Sequence, residues 1–201
     1  MRRSVRGVTA ALLCLAVAGA WRPLGHPLKL AAESRVWFDG TSTVRKWSCK
    51  ATQIDAVIDA DADAASGVLT RQKAVKTVTL TFPTAKLDCA NDTMKGHMMK
   101  ALNGARNPNI TFALTGYELG AAPPVNGTVN GTVNGALTIN GVTKPISMQA
   151  EFASVAGGAL RVFGEYSLTM TEWQVVPPKL MMGVMKVGPV VVVNFDLMLQ
   201  N

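Results

Sequence analysis

From Ser34 onward apolar and polar residues alternate with a period of two over most of the chain, the pattern of strands with one face in a core and the other in water. Ser34-Arg35-Val36-Trp37-Phe38 opens the series, and Asp39-Gly40 is expected to turn the chain before Trp47. Thr52, Ile54, Ala56 and Ile58 then alternate with Gln53, Asp55, Val57 and Asp59, and Asp61 through Gly67 reads as the connection that follows. Its aspartates lack the glycine and glutamate placement of a calcium loop and read as solvated. Val78, Leu80 and Phe82 alternate with Thr77, Thr79 and Thr81 until Pro83, which has no N–H for a ladder and ends the strand or sets it at an edge. The period changes once. Between Asn91 and Leu102, Met94, Met98 and Leu102 recur at helical spacing with Met99 beside them. Asn91 or Asp92 is placed to cap this helix and Asn103-Gly104 to end it, while Gly96 weakens its interior.

Asn107-Pro108-Asn109 returns the chain to period two at Ile110 through Leu114, with Tyr117 and Leu119 just beyond. The stretch from Val125 to Ile139 carries two competing periods. Its valines fall four apart, as on a helix, but Gly127, Gly131 and Gly135 each disfavour a helix by nearly 1 kcal/mol relative to alanine. At period two, the odd positions alternate glycine with valine or larger apolar residues, and the even positions are chiefly asparagine and threonine. One long strand is the expectation, its inner-face glycines removing side-chain volume and permitting sharp coiling. A weakened edge strand and hairpins turning at the Asn-Gly pairs are the rival readings.

Asn140-Gly141 supplies the next turn, Ile146, Met148, Ala150 and Phe152 continue the alternation, and Gly157-Gly158 ends that ribbon. Further strands run from Leu160 to Phe163 and from Glu165 to Met170, leading to Trp173 and the rigid Pro177-Pro178. The last strand, Val190 to Leu199, puts Val191, Val193, Phe195, Leu197 and Leu199 on one face and Asn194 and Asp196 on the other. About eight strands joined by short turns predict an all-β, antiparallel barrel with one short helix covering or plugging an opening, a sandwich being the main rival.

Composition changes the picture mainly at the N-terminus. Arg2, Arg3 and Arg6 precede a 13-residue apolar run from Val8 to Ala20, and Ala18-Gly19-Ala20 forms a small-x-small cleavage site. Such a run rises about 20 Å as a helix, short of a hydrocarbon core of roughly 30 Å. Residues 1–20 therefore read as a secretory signal, and 21–201 as one domain with its core at about 33–200. Cleavage leaves 181 residues and lowers the formal charge from +7 to +4. That modest balance, with no recognition helix, zinc-finger spacing or basic-aromatic tract, argues against a nucleic-acid partner. It also leaves no segment for stable membrane insertion, and the periplasm is the expected compartment. Cys14 departs with the signal, so Cys49 and Cys89 remain in an oxidising environment. They either pair, closing a loop of about 40 residues, or stay as two small buried hydrophobes.

At four blocks the sequence resembles the YceI-like polyisoprenoid-binding family: Ser34 to Phe38; Met98-Met99-Lys100-Ala101-Leu102 before Asn107 to Phe112; Leu137 to Ile146; and Pro177-Pro178 before the last strand. The resemblance spans nearly the whole chain after the signal and implies an exported, extended, lipocalin-like barrel whose interior holds a long isoprenoid or another amphiphilic lipid. The chain departs from the family pattern at Arg45-Lys46-Trp47-Ser48-Cys49, where a G-x-F-like segment usually follows the first strand.

A long apolar ligand needs continuous apolar walls, since each buried methylene is worth about 0.8 kcal/mol and an unpaired buried polar group costs several times more. The candidate lining is Phe82, Phe112, Val129, Val133, Leu137, Phe152, Trp173, Val193 and Phe195, with Met94 and Met98 from the helix. Alternation alone does not separate such a lining from the packing of a filled core, so a noncatalytic structural or interaction barrel is the alternative. Arg45, Lys46 and Lys179 are candidate contacts for an anionic head group. The methionine groups Met94, Met98, Met99 and Met181, Met182, Met185 suit an adaptable pocket or an irregular core. A cuprous site that adds His97 is sharper but has no support from the resemblance. No cofactor is implied. The chain has no G-x-S-x-G, H-E-x-x-H, P-loop or Rossmann fingerprint, so no catalytic residue is assigned.

Overall fold

A computed structural model describes residues 28–61, 63–121, 125, 127–180 and 184–200. The expected signal at 1–20, Cys14, His26, Met181 and Met182 lie outside these residues. The elements run β1 Lys29–Leu30, β2 Arg35–Ser42, β3 Lys46–Ala51, β4 Asp55–Ala60, α1 Ala64–Leu69, β5 Val75–Pro83, β6 Leu87–Asp88, α2 Asp92–Ala101, β7 Asn109–Leu119, β8 Thr128–Ile139, β9 Val142–Ser154, β10 Leu160–Thr169, β11 Lys179–Leu180 and β12 Met185–Gln200.

All pairings are antiparallel and follow one path, β4-β5-β7-β8-β9-β10-β12-β2-β3-β6, with β1 and β11 added on β12. This is one curled sheet rather than two facing ones. Its two ends meet because β6 continues β5 after only the 3-10 turn Thr84–Lys86. One stretch of chain thus pairs with β7 through its first part and with β3 through its last. The Cys49–Cys89 disulfide crosses this seam, joining β3 to the residue after β6. The described residues form twelve strands rather than about eight, chiefly because β1, β6 and β11 are two residues each, too short for periodicity to reveal.

Two local expectations are corrected. Asp61 through Gly67 is not a plain connection, because α1 begins within it and buries Ala64, Ala65 and Val68 on one face at one end of the barrel. Alanine carries the highest helix propensity, which the flanking Asp63 and Gly67 obscured. Nor does Asp39-Gly40 turn the chain, since β2 runs on to Ser42 and the turn falls at 43–45. Gly40 lies opposite Trp47, and a Cβ on Gly40 would overlap the indole ring.

The same arrangement recurs around the wall. A Cβ on Gly135 would overlap the Phe112 ring of the neighbouring strand. Cβ atoms on Gly131 and Gly164 would stand 3.0 Å from Phe152 and 2.9 Å from Phe195. The repetitive segment is one strand, β8, and its inner glycines leave room for rings from adjacent strands rather than making turns. Only the first of the three glycines lies outside the strand, Gly127, which has φ +76° before β8 begins. The β8–β9 hairpin turns at Asn140 and Gly141, both at positive φ (52° and 75°), as a type I′ turn requires.

On the outer wall Arg161 makes a bidentate pair with Asp196 at 2.7 and 2.9 Å and stacks over Phe163. The hydrogen bond from Arg161 holds the Asp196 carboxyl below its usual range.

Two outcomes are expected. Gly135→Ala should lower stability by about 1–3 kcal/mol through overpacking, and Phe112→Leu in the same chain should recover part of that loss in denaturant titrations. Purely additive effects would remove the ring as the cause. Reducing the Cys49–Cys89 bridge, which spans 40 residues, should cost up to about 4 kcal/mol. Hydrogen exchange should then rise first at β3, β6 and the start of α2; a uniform rise would contradict a seam role.

Candidate functional site

The inward faces of the strands do not meet at the centre. They surround a cavity of about 650 Å³, within the usual range for ligand pockets. Its wall is almost wholly aliphatic, aromatic and thioether, because period two delivers every second side chain of each long strand inward. On β12 this face is Val191, Val193, Phe195, Leu197 and Leu199, all of which line the cavity. The seated rings of Trp47, Phe112, Phe152 and Phe195 line it too, lying against their glycines.

One end is filled. Ala64 and Val68 of α1 cluster there with Tyr117, Val129, Phe152 and Leu160. The Tyr117 hydroxyl accepts from Val75 N at 3.2 Å and donates to Gln72 O at 3.3 Å, so this buried phenol is satisfied.

Toward the other end lies α2. Asn91 caps it, its side chain accepting from Met94 N at 2.9 Å, and Met94, His97, Met98, Ala101 and Leu102 line the cavity. The helix is held at both ends. Cys89 anchors its start through the disulfide and lies 3.7 Å from the Met98 sulfur. Beyond its exit, Asn103 and Asn107 both donate to Asn140 Oδ1, at 2.9 and 3.1 Å. Asn140 in turn donates to the Trp173 and Gln174 carbonyls, and the Trp173 indole donates to Leu137 O at 3.1 Å. This latch places Trp173, 1% exposed, in the wall. Among the lining residues only Arg45, Asn91 and Thr93 are exposed, so the opening lies between the β2–β3 tip and the first turn of α2.

Among the described residues no fully buried side-chain nitrogen or oxygen lacks a partner. Tyr166 lines the wall, and burial pushes its hydroxyl up from the ordinary tyrosine value, with Glu172 adding to the effect. It stays neutral at physiological pH.

The apolar candidates Phe82, Met94, Met98, Phe112, Val133, Leu137, Phe152, Trp173, Val193 and Phe195 are brought together around the cavity. Val129 is not. It shares a strand face with Val133 but is 2% exposed inside the cluster that fills the α1 end. Of the candidate head-group contacts, Arg45 lines the opening, whereas Lys46 and Lys179 are exposed and do not line it. Sequence reading missed Leu80, Ile110, Tyr166 and Leu168 as lining residues. Leu80 and Ile110 alternate in phase with Phe82 and Phe112, so the signal was present. Met185, read only as one of a methionine group that suits a pocket or an irregular core, lines the cavity; strand periodicity did not reach it because Gly188 and Pro189 interrupt the pattern and the β12–β2 register shifts between Val187 and Val191.

Residues 30–199 match the YceI-like domain. No curated protein matches the chain by sequence. Among solved structures it is similar to BcnA from Burkholderia cenocepacia, with 17% identity over 85% of this chain and 99% of that one and a TM-score of 0.63. A polyisoprenoid binding domain from Saccharophagus degradans, implicated in plant cell wall breakdown, gives 15% identity over 87% and 99% with a TM-score of 0.63. The YceI protein of Campylobacter jejuni gives 19% identity over 76% and 84% with a TM-score of 0.56. At these identities the structural likeness is one of fold. The domain match covers most of the chain, and the chain belongs to the YceI-like family.

Proposed function

We propose that the protein is a noncatalytic binder of a polyisoprenoid or similar long amphiphilic lipid, which it carries or stores in its interior after export to the periplasm. The observation that carries this reading is the 650 Å³ apolar cavity opening at one charged residue, Arg45. At about 30 Å³ per water-sized group it has room for about 20 such groups, or about four five-carbon isoprenyl units, with a longer chain emerging at the opening. Each methylene withdrawn from water contributes about 0.8 kcal/mol, so affinity comes from chain length rather than from polar contacts. Arg45 meets the head group at the mouth. The N-terminal signal-like segment and the disulfide support an oxidising, extracytoplasmic setting.

Native mass spectrometry of protein purified without detergent should show a hydrophobic adduct that organic extraction removes and prenyl lipids replace. Val133→Trp, which fills the cavity, should weaken prenyl-lipid binding by more than about tenfold given the apolar area it displaces. Val57→Trp, on the exposed face of β4, should leave it unchanged. Absence of any adduct after exchange with several prenyl lipids, or equal affinities in the two variants, would favour a filled structural barrel instead.

A further inference from the structure

At the open end the β2–β3 tip lies beside the start of β12. Thr43, at the β2–β3 tip, donates its backbone N–H to Lys186 O at 2.9 Å and its hydroxyl to Val184 O at 3.1 Å, while Lys186 N donates back to Thr43 Oγ1 at 3.2 Å. Across β11 and β12, Lys179 pairs in register with Lys186. Val44 in the β2–β3 tip is 64% exposed, Val184 just before β12 is 75% exposed, and Val176, three residues before Lys179, is 73% exposed. A single exposed valine needs no explanation. These three share one end with the exposed side chains of Arg45, Lys46, Lys179 and Lys186. The chain from 40 to 54 and from 173 to 195 contains no aspartate or glutamate. Of the acids that flank these stretches, Asp39 is engaged by Asn194, Asp55 by Gln53 and Asp196 by Arg161, while Glu172 is exposed.

We propose that this rim docks onto an anionic lipid bilayer, with the valine tips entering the interfacial layer and the four basic side chains meeting lipid phosphates. Exposed valines beside four cations that outnumber the neighbouring carboxylates Asp92 and Glu172 suit a surface that is negative outside and apolar just beneath. They do not suit a protein partner, for which three separated valines give no continuous apolar core. Arg45 also lines the cavity opening, so docking sets that opening against the bilayer. A lipid then passes between membrane and cavity without crossing water. This last consequence rests on the proposed lipid binding, whereas the docking surface does not.

The test uses the protein as cells release it, its N-terminus read from the intact mass, with vesicles of phosphatidylcholine containing phosphatidylglycerol and vesicles of phosphatidylcholine alone. Cosedimentation should occur with the first and weaken with salt. Lys186→Ala should lower partitioning roughly fivefold, and adding Val44→Ser and Val184→Ser should lower it by more than about tenfold in total. Val44→Trp fluorescence should be quenched by brominated lipids, and Val57→Trp fluorescence should not. Equal binding to both vesicle types, an unaltered triple variant, or equal quenching at positions 44 and 57 would overturn the proposal. Prenyl-lipid loading of the triple variant, followed by native mass spectrometry, is expected to stay at the unsubstituted level. In the unsubstituted protein, loading without vesicle binding defeats docking alone, and vesicle binding without loading defeats the lipid-binding reading alone.

Discussion

The Phe112 ring occupies the space that a side chain on Gly135 would need, and Trp47 does the same at Gly40. Phe152 and Phe195 lie within van der Waals reach of Gly131 and Gly164. An aromatic ring on the inside of a small barrel ordinarily reaches toward the centre and fills it. Laid against a neighbouring strand's glycine, the same ring covers exposed backbone and becomes part of the wall. The cost is the unfavourable conformational entropy of glycine within a strand. Contact with the ring offsets part of it, and the interior remains open.

An open interior still needs ends that hold. At one end Ala64 and Val68 of α1 provide small, fully buried side chains that close the floor. At the other, α2 is fixed before its first turn by Cys49–Cys89 and after its last by Asn103 and Asn107 on Asn140. Asn140 ties the same corner to the Trp173 segment. The helix is therefore a braced cover rather than a free flap. The opening is left to the β2–β3 tip, where Arg45 is exposed and the neighbouring strands end in basic residues. A floor, a braced cover and one charged mouth together define a container with a direction.

Much of this was legible in the sequence, for identifiable reasons. β8 and the later part of β12 are long and largely alternate, so period two announced their inward faces, although the valines of β8 also fitted helical spacing and the start of β12 before Val190 went unread. The α2 helix announced itself by four-residue spacing and by Asn91. What escaped reading was set by distant partners. Gly40 looks like a turn residue until Trp47 is seen against it. Val129 has the phase of a lining residue and is removed from the cavity only because α1 fills that end. The six residues of α1 are mostly small and carry too little amphipathic contrast to stand out from a loop. Pairings of two residues, such as β6 on β3, exist only because the barrel seam and the disulfide bring the segments together.

A crystal structure of the protein purified without detergent tests directly whether its interior is hollow with apolar walls. Continuous elongated density should run from between Val133 and Phe195 to the gap between Arg45 and Thr93, with Phe112, Phe152 and Phe195 flat against their glycines. An interior closed by those rings turned inward, or one holding only ordered waters, would contradict it.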